Sequence, residues 1–203
     1  MHIKLSDIGK RYNRDWIFRH LDYNFESGKA YAILGSNGSG KSTLLKTIAG
    51  FISPTEGNIE YENTAVLAQE EVFKEVAFAA PYLEIYEEFT LPEALRFHEK
   101  LKPLSIEASA LMDVIRLPLY KRIETFSSGM KQKVKLALAI YSETSMLFLD
   151  EPTINLDAKS KSWYEEQIQN VKANKLIVVS SNYEKVEYSF AAELIQIENF
   201  KAS

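Results

Sequence analysis

The stretch GSNGSGKST, residues 35–43, constrains this chain more than any other part of it. It fills every fixed position of G-x-x-x-x-G-K-[ST] and lies between a short apolar run, residues 29–34, and a helical pattern, residues 41–51. Glycines let the backbone curl so that successive N–H groups converge on phosphate oxygens, and the helix that follows adds its positive dipole end. Gly35, Ser36, Asn37, Gly38, Ser39, Gly40, Lys41, Ser42 and Thr43 are therefore the candidate phosphate-binding residues. Lys41 is expected to reach the outer phosphates, and the Ser42 hydroxyl to take a Mg²⁺ coordination position. Such a loop needs a strand entering it and a helix leaving it, which points to an α/β chain.

The rest of the sequence has that character. Apolar runs at residues 76–80, 146–149, 176–179 and 194–197 read as strands, and residues 158–173 as a helix between two of them. Alternation of this kind predicts a mostly parallel sheet. A turn at residues 53–57 leads to an antiparallel strand at 58–62, while helices dominate from about residue 82 to residue 125. One of these opens at Thr90 with Glu93 three residues on, the spacing of a capping box. The expected organisation is one domain over residues 1–203, with a helical subdomain inserted at about 82–128. At 203 residues and 46% hydrophobic content the chain can bury a substantial core. Its net charge of −4 argues against nucleic-acid binding through a basic surface. No apolar run approaches the roughly 20 residues that cross a bilayer, so no direct membrane insertion is expected. Zero cysteines exclude disulfides and fit a cytosolic location.

Two further stretches carry chemistry. In MLFLDEPTINLD, residues 146–157, four apolar residues form a buried strand that presents Asp150 beside the phosphate loop, where a carboxylate can hold the Mg²⁺ shell. Glu151, one residue on, is placed to orient or deprotonate a water attacking the γ-phosphate. In FSSGMKQKVKLALAIYS, residues 126–142, apolar residues recur at helical spacing from near Ser128, with Ser127 as N-cap. That makes a second helix N-terminus able to receive an anion.

FSSGM matches the LSGGQ signature of ATP-binding cassette (ABC) transporter ATPases at Ser127 and Gly129, and departs from it at Phe126, Ser128 and Met130. With the phosphate loop before it, the Asp-Glu strand after it and an Asn155-Leu156-Asp157 segment like the family's D-loop, the whole chain resembles the nucleotide-binding subunit of such a transporter. The resemblance implies a P-loop NTPase core with an antiparallel β subdomain and a helical subdomain, and it implies ATP and Mg²⁺ as cofactors. It further implies a second ABC ATPase domain, met head to tail so that Ser127, Ser128, Gly129 and Met130 act in trans. Separate transmembrane permease subunits would then hold the protein at the cytoplasmic face of the membrane. Tyr12 stands where the family places an aromatic that stacks on adenine, with Trp16 and Phe18 as competitors. Asp157 falls at the D-loop aspartate.

Two places depart from the family. The strand after the Asp-Glu strand usually ends in a histidine that contacts the γ-phosphate. VVSSN puts Asn182 there, or less favourably Ser181, and an amide can donate a hydrogen bond but cannot shuttle a proton. The Q-loop glutamine is replaced in FAAPYLEIY by Pro81 or Tyr82, with Gln69 the nearest glutamine, in the preceding hairpin. ATP binding is thus expected, with hydrolysis slowed. Alternatives are a nucleotide-gated cassette, a soluble ABC protein outside transport and a small-molecule kinase. Lys131, Lys133 and Lys135 read as a solvated helix face, and Trp163, Ile168 and Val171 as a core stripe. His2, His20 and His98 carry no metal pattern. The acidic, aromatic stretch at residues 82–89 reads as a surface loop and, by the family resemblance, as the place where a membrane partner docks.

Overall fold

The computed structural model describes residues 1–63 and 65–201, except for the side chain of residue 69. Two sheets make the framework. Strands β1 (His2–Tyr12), β2 (Asp15–Glu26) and β4 (Glu56–Glu62) form an antiparallel sheet in the order β2-β1-β4. Strands β3 (Ala30–Leu34), β5 (Val76–Ala79), β6 (Met146–Asp150), β7 (Leu176–Ser181) and β8 (Glu193–Gln196) form a parallel sheet in the order β5-β6-β7-β3-β8. Successive side chains in a strand point to opposite faces, and the parallel sheet sorts its residues accordingly. Ala32, Leu34, Leu147, Leu149, Ile177 and Val179 face the helical layer. Tyr31, Ile33, Met146, Phe148, Leu176 and Val178 face helix α1 (Lys41–Ile48) and the antiparallel sheet. Because both faces are covered, β3, β6 and β7 read as apolar runs up to the polar carboxyl ends of β6 and β7.

The strand hairpin β1–β2 is the element that the sequence pattern does not reveal. Register shifts interrupt its pairing between Leu5 and Ile8, between Ile8 and Lys10, and between Lys10 and Arg11. Asp7 and His20 also adopt positive φ of 49° and 53°. Bulges of this sort break the alternation of apolar and polar residues by which a strand is recognised.

The helix expected over residues 41–51 stops at Ile48. Gly50 enters the left-handed region at φ 79°, and two bonds, Gly50 N–H to Thr47 O at 3.1 Å and Phe51 N–H to Lys46 O at 2.9 Å, close the end as a Schellman motif. After β4, the short helix α2 (Gln69–Val72) precedes β5. Gln69 therefore opens a helix rather than lying in a hairpin, and its side chain lies outside the described part of the structure.

Helices α3 (Leu91–Leu101) and α4 (Ala108–Ile115) lie between β5 and β6, followed by α5 (Ser128–Tyr141). Thr90 and Glu93 complete the capping box at the start of α3. Trp163 and Ile168 of α6 (Ala158–Val171) pack against the same core, and Trp163 Nε1 donates to Val114 O of α4 at 3.0 Å. The three α5 lysines are half-buried and engaged, not solvated. Lys131 pairs with Glu87 at 2.6 Å, Lys135 donates to Pro81 O at 2.9 Å, and the Lys133 ammonium lies 4.7 Å from the centre of the Trp163 ring. The chain from residue 81 to 89 crosses over Lys131 and Lys135, and Trp163 of α6 lies against Lys133, which a helical wheel of α5 alone does not disclose. A short helix α7 (Lys185–Tyr188) follows β7.

Phe148 is fully buried in an inner strand of the sheet. Truncation to alanine is expected to cost about 3–5 kcal/mol of folding stability, read from the urea midpoint followed by circular dichroism.

Candidate functional site

Parallel register brings the functional side chains to one edge. Asp150, the last residue of β6, lies opposite Ser180 of β7, and Ser181 lies opposite Leu34, the last residue of β3. The carboxyl ends of three neighbouring strands thus meet where the loop 35–40 begins, the crevice in which open α/β sheets hold ligands.

The loop is shaped by close approaches. A Cβ on Gly40, at φ 105°, would stand 2.4 Å from Ile17 Cγ2, so β2 passes directly beside the loop and only glycine fits. Gly38, at φ 76°, has nothing within 4 Å of such an atom and is open on its outer side. Ser36 N–H donates to Glu198 Oε1 at 3.2 Å, which fastens the start of the loop to the turn after β8. Ser39 Oγ is buried without a hydrogen-bond partner among the described residues. Ser36, Asn37 and Gly38 are exposed.

Lys41 is buried to 4% exposure, with Nζ donating to Ser36 O at 3.0 Å and lying 3.6 Å from Glu151 Oε1. An ammonium has three donors, so this one retains capacity for a further anion. The Asp150 carboxylate, 2% exposed, accepts from Ser42 Oγ at 3.0 Å and from Ser180 Oγ through Oδ1, and from the Tyr82 hydroxyl at 3.1 Å through Oδ2. Glu151 follows at φ 42°, its N–H held by Ser180 O at 3.0 Å. That left-handed turn sends its side chain towards Lys41 while Asp150 stays with Ser42.

Hydroxyl and carboxylate oxygens are the ligands that hard divalent cations take. The Ser42–Asp150 pair suits Mg²⁺, and the open loop with a free hydroxyl at Ser39 and a buried ammonium at Lys41 suits a polyphosphate. Ser180 and Tyr82 complete the set around Asp150; the family resemblance put Pro81 or Tyr82 at the Q-loop glutamine position, and the sequence assigned Ser180 no part. The one signal for Ser180 is that it interrupts an apolar strand that is buried throughout.

Asn182 is exposed just beyond β7 and, with Glu151, Asn155 and Glu187, lines a cavity of about 300 Å³. Ser181 is turned away into the fold, its Oγ accepting from Glu184 N at 3.1 Å. Glu187, 3% exposed, accepts from both the N–H and the hydroxyl of Thr153 at 2.9 Å. Tyr12 stands half-exposed at the tip of the β1–β2 hairpin, with Lys10 Nζ 5.4 Å from its ring centre. Phe18, weighed beside it, is fully buried in the core and is not available to a ligand. The guanidiniums of Arg11 and Arg19 lie 5.3 and 4.3 Å from the centre of the Trp16 ring.

Ser127 caps α5, its Oγ accepting from Met130 N at 3.2 Å, and Ser128 is exposed. Met130 packs against the core. A Cβ on Gly129 would stand 2.6 Å from Asn155 O, so this loop is seated on the segment after Glu151. Among the described residues no hydrogen bond or ion pair joins residues 127–130 to the loop 35–43. Asp157 caps α6, its Oδ1 accepting from Ser160 N at 2.8 Å.

The family model for ABC transporters matches residues 18–154, and the chain belongs to that family. It is an ATP-binding cassette ATPase domain. Bacillus subtilis YybJ, named an uncharacterized ABC transporter ATP-binding protein, is 28% identical over 188 residues, covering 90% of this chain and 86% of the relative. The lantibiotic transport ATP-binding protein SrtF of Streptococcus pyogenes is 27% identical, covering 95% and 85%. Among solved structures, an ATP-binding subunit of an ABC transporter superposes with a TM-score of 0.84 at 26% identity, covering all of this chain and 89% of the other. A dimeric bacterial ABC transporter cassette shares the fold, with a TM-score of 0.81 at 21% identity and 96% and 94% coverage.

Burial raises the pKa of Glu187 despite its bonds to Ser181 and Thr153. Folding therefore increases this group's proton affinity, and its contribution to stability declines as pH rises from the ordinary carboxylate range through the raised value. Glu187→Gln is expected to remove that slope and to be at least as stable near neutrality, as urea midpoints measured from about pH 4 to about pH 8 will show.

Proposed function

We propose that this ATPase is the energy-supplying subunit of a membrane transporter, acting as one of a pair of cassettes on separate transmembrane permease subunits at the cytoplasmic face of the membrane. The observation that carries the reading is the meeting of Lys41, Ser42, Asp150 and Glu151 at the carboxyl ends of β3 and β6, beside a glycine-shaped loop. In this reading residues 35–43 wrap the phosphates of ATP, Lys41 neutralises the outer ones, and Ser42 and Asp150 hold Mg²⁺. The metal, when bound, supplies charge stabilisation to the transferring phosphoryl group. Glu151 orients the attacking water and accepts its proton as the oxygen bonds to the γ-phosphorus and the bond to ADP breaks. Tyr12 offers its exposed ring to adenine, and the Asn182 amide donates to the γ-phosphate without changing its own charge.

The second cassette, an identical or a related chain, brings its own residues 127–130 to this site, with Asp157 nearby as the D-loop aspartate. The dimeric cassette of the same fold supports the pairing. A groove of about 390 Å³ lined by Phe51, Phe78, Leu83, Leu101 and Leu138 lies between the parallel sheet and the helical layer. Tyr82, Leu83 and Tyr86 are exposed beside it, which supports this face as the permease contact. No helix among the described residues is long and apolar enough to cross a membrane.

A slower, nucleotide-gated cassette is the second reading, favoured by an asparagine at position 182 and a tyrosine at position 82. Turnover by the complex taken from mildly solubilised membranes separates the two. Glu151→Gln is expected to lower ATP hydrolysis by about 10²–10⁴-fold while ATP binding persists. Equally negligible turnover in the wild type and the variant, with ATP bound by both, would establish the gated cassette instead.

A further inference from the structure

The chain between β5 and α3 sends one side chain back into the site. The Tyr82 hydroxyl donates to Asp150 Oδ2 at 3.1 Å, and the Lys46 ammonium of α1 lies 4.3 Å from the centre of its ring. Oδ1 already accepts from Ser42 and Ser180. A carboxylate oxygen has about two lone-pair positions, so Oδ1 is filled and Oδ2 keeps one open beside the phenol.

The tyrosine is itself firmly rooted. Its neighbour Pro81 accepts from Lys135 Nζ at 2.9 Å, and Glu87 pairs with Lys131 at 2.6 Å, so two lysines of α5 anchor this segment at both ends.

We propose that Tyr82 is a positioning residue for the metal carboxylate. Its hydroxyl fixes the rotation of Asp150 so that a single Oδ2 lone pair is left for the magnesium shell. The phenol oxygen, which can still accept a hydrogen bond, gives water in that shell a second acceptor. A glutamine would offer an amide oxygen as a direct ligand, whereas a neutral phenol acts through Asp150 and through water. The proposal rests on Asp150 being the metal carboxylate.

Tyr82→Phe tests it, because the half-exposed ring stays under Lys46 and only the hydroxyl is lost. Mg²⁺ is titrated calorimetrically into the full chain saturated with a non-hydrolysable ATP analogue, and the analogue is also titrated without metal. The variant is expected to keep its metal-free analogue affinity and its thermal midpoint while its Mg²⁺ affinity falls by about tenfold, the usual scale for a hydrogen bond to a charged group. Unchanged Mg²⁺ affinity overturns the proposal. A rise overturns it too, since the phenol would then be a competitor that the metal must displace. An equal loss of metal-free affinity would also overturn it, as general damage to the site. Failure of the wild type to bind the analogue at all strikes the ATP-binding reading instead.

Discussion

The Asp150 carboxylate holds together parts of the chain that are far apart in sequence. Ser42 comes from the first turn of α1, Ser180 from the end of β7 and Tyr82 from the segment that leads to α3, and all three hydroxyls converge on one buried acid. Burying a charge in this way is tolerable only when its lone pairs are occupied by donors. The Lys41 ammonium faces Glu151 and Ser36. The arrangement follows from register: a shift of one residue in β6 against β7 would turn Asp150 towards the opposite face and leave Ser180 without a partner.

The helical layer is joined to this centre through polar side chains. Gln132 Nε2 donates to Pro152 O at 2.9 Å, and Lys131 and Lys135 hold the chain at residues 81–89. These bonds cross from the middle of α5 to the two stretches that leave β5 and β6. The apolar contacts of the layer supply burial, and the polar ones set where the ends of the sheet's loops come to rest.

The parallel core was legible because its signals are local: five apolar runs, a glycine-rich turn with a lysine, and hydroxyl caps at Thr90 and Ser127. The β1–β2 hairpin was not, since its bulges break the period-two pattern that would announce it. The α5 lysines misled for a different reason. A charged face looks solvated on a helical wheel, and only the paths of a distant loop and of α6 show that its lysines are engaged. Ser180 and Tyr82 belong to the same class, because contacts at separations of 30 and 68 residues are decided by sheet order and by loop course. The candidate residues 35–43 and Asp150 carried strong spacing constraints, whereas Tyr12 and Asn182 rested on position relative to a family and stand exposed at the ends of their strands.

Gly129 stands so close to the Asn155 carbonyl that no side chain could be inserted between them. Backbone against backbone leaves almost no slack, and the start of α5 and the turn after Glu151 form one continuous ridge. No side-chain rotamer lies between Gly129 and the Asn155 carbonyl to take up a shift of one against the other, and Asn155 is four residues from Glu151, on the same turn of chain that carries the carboxylate.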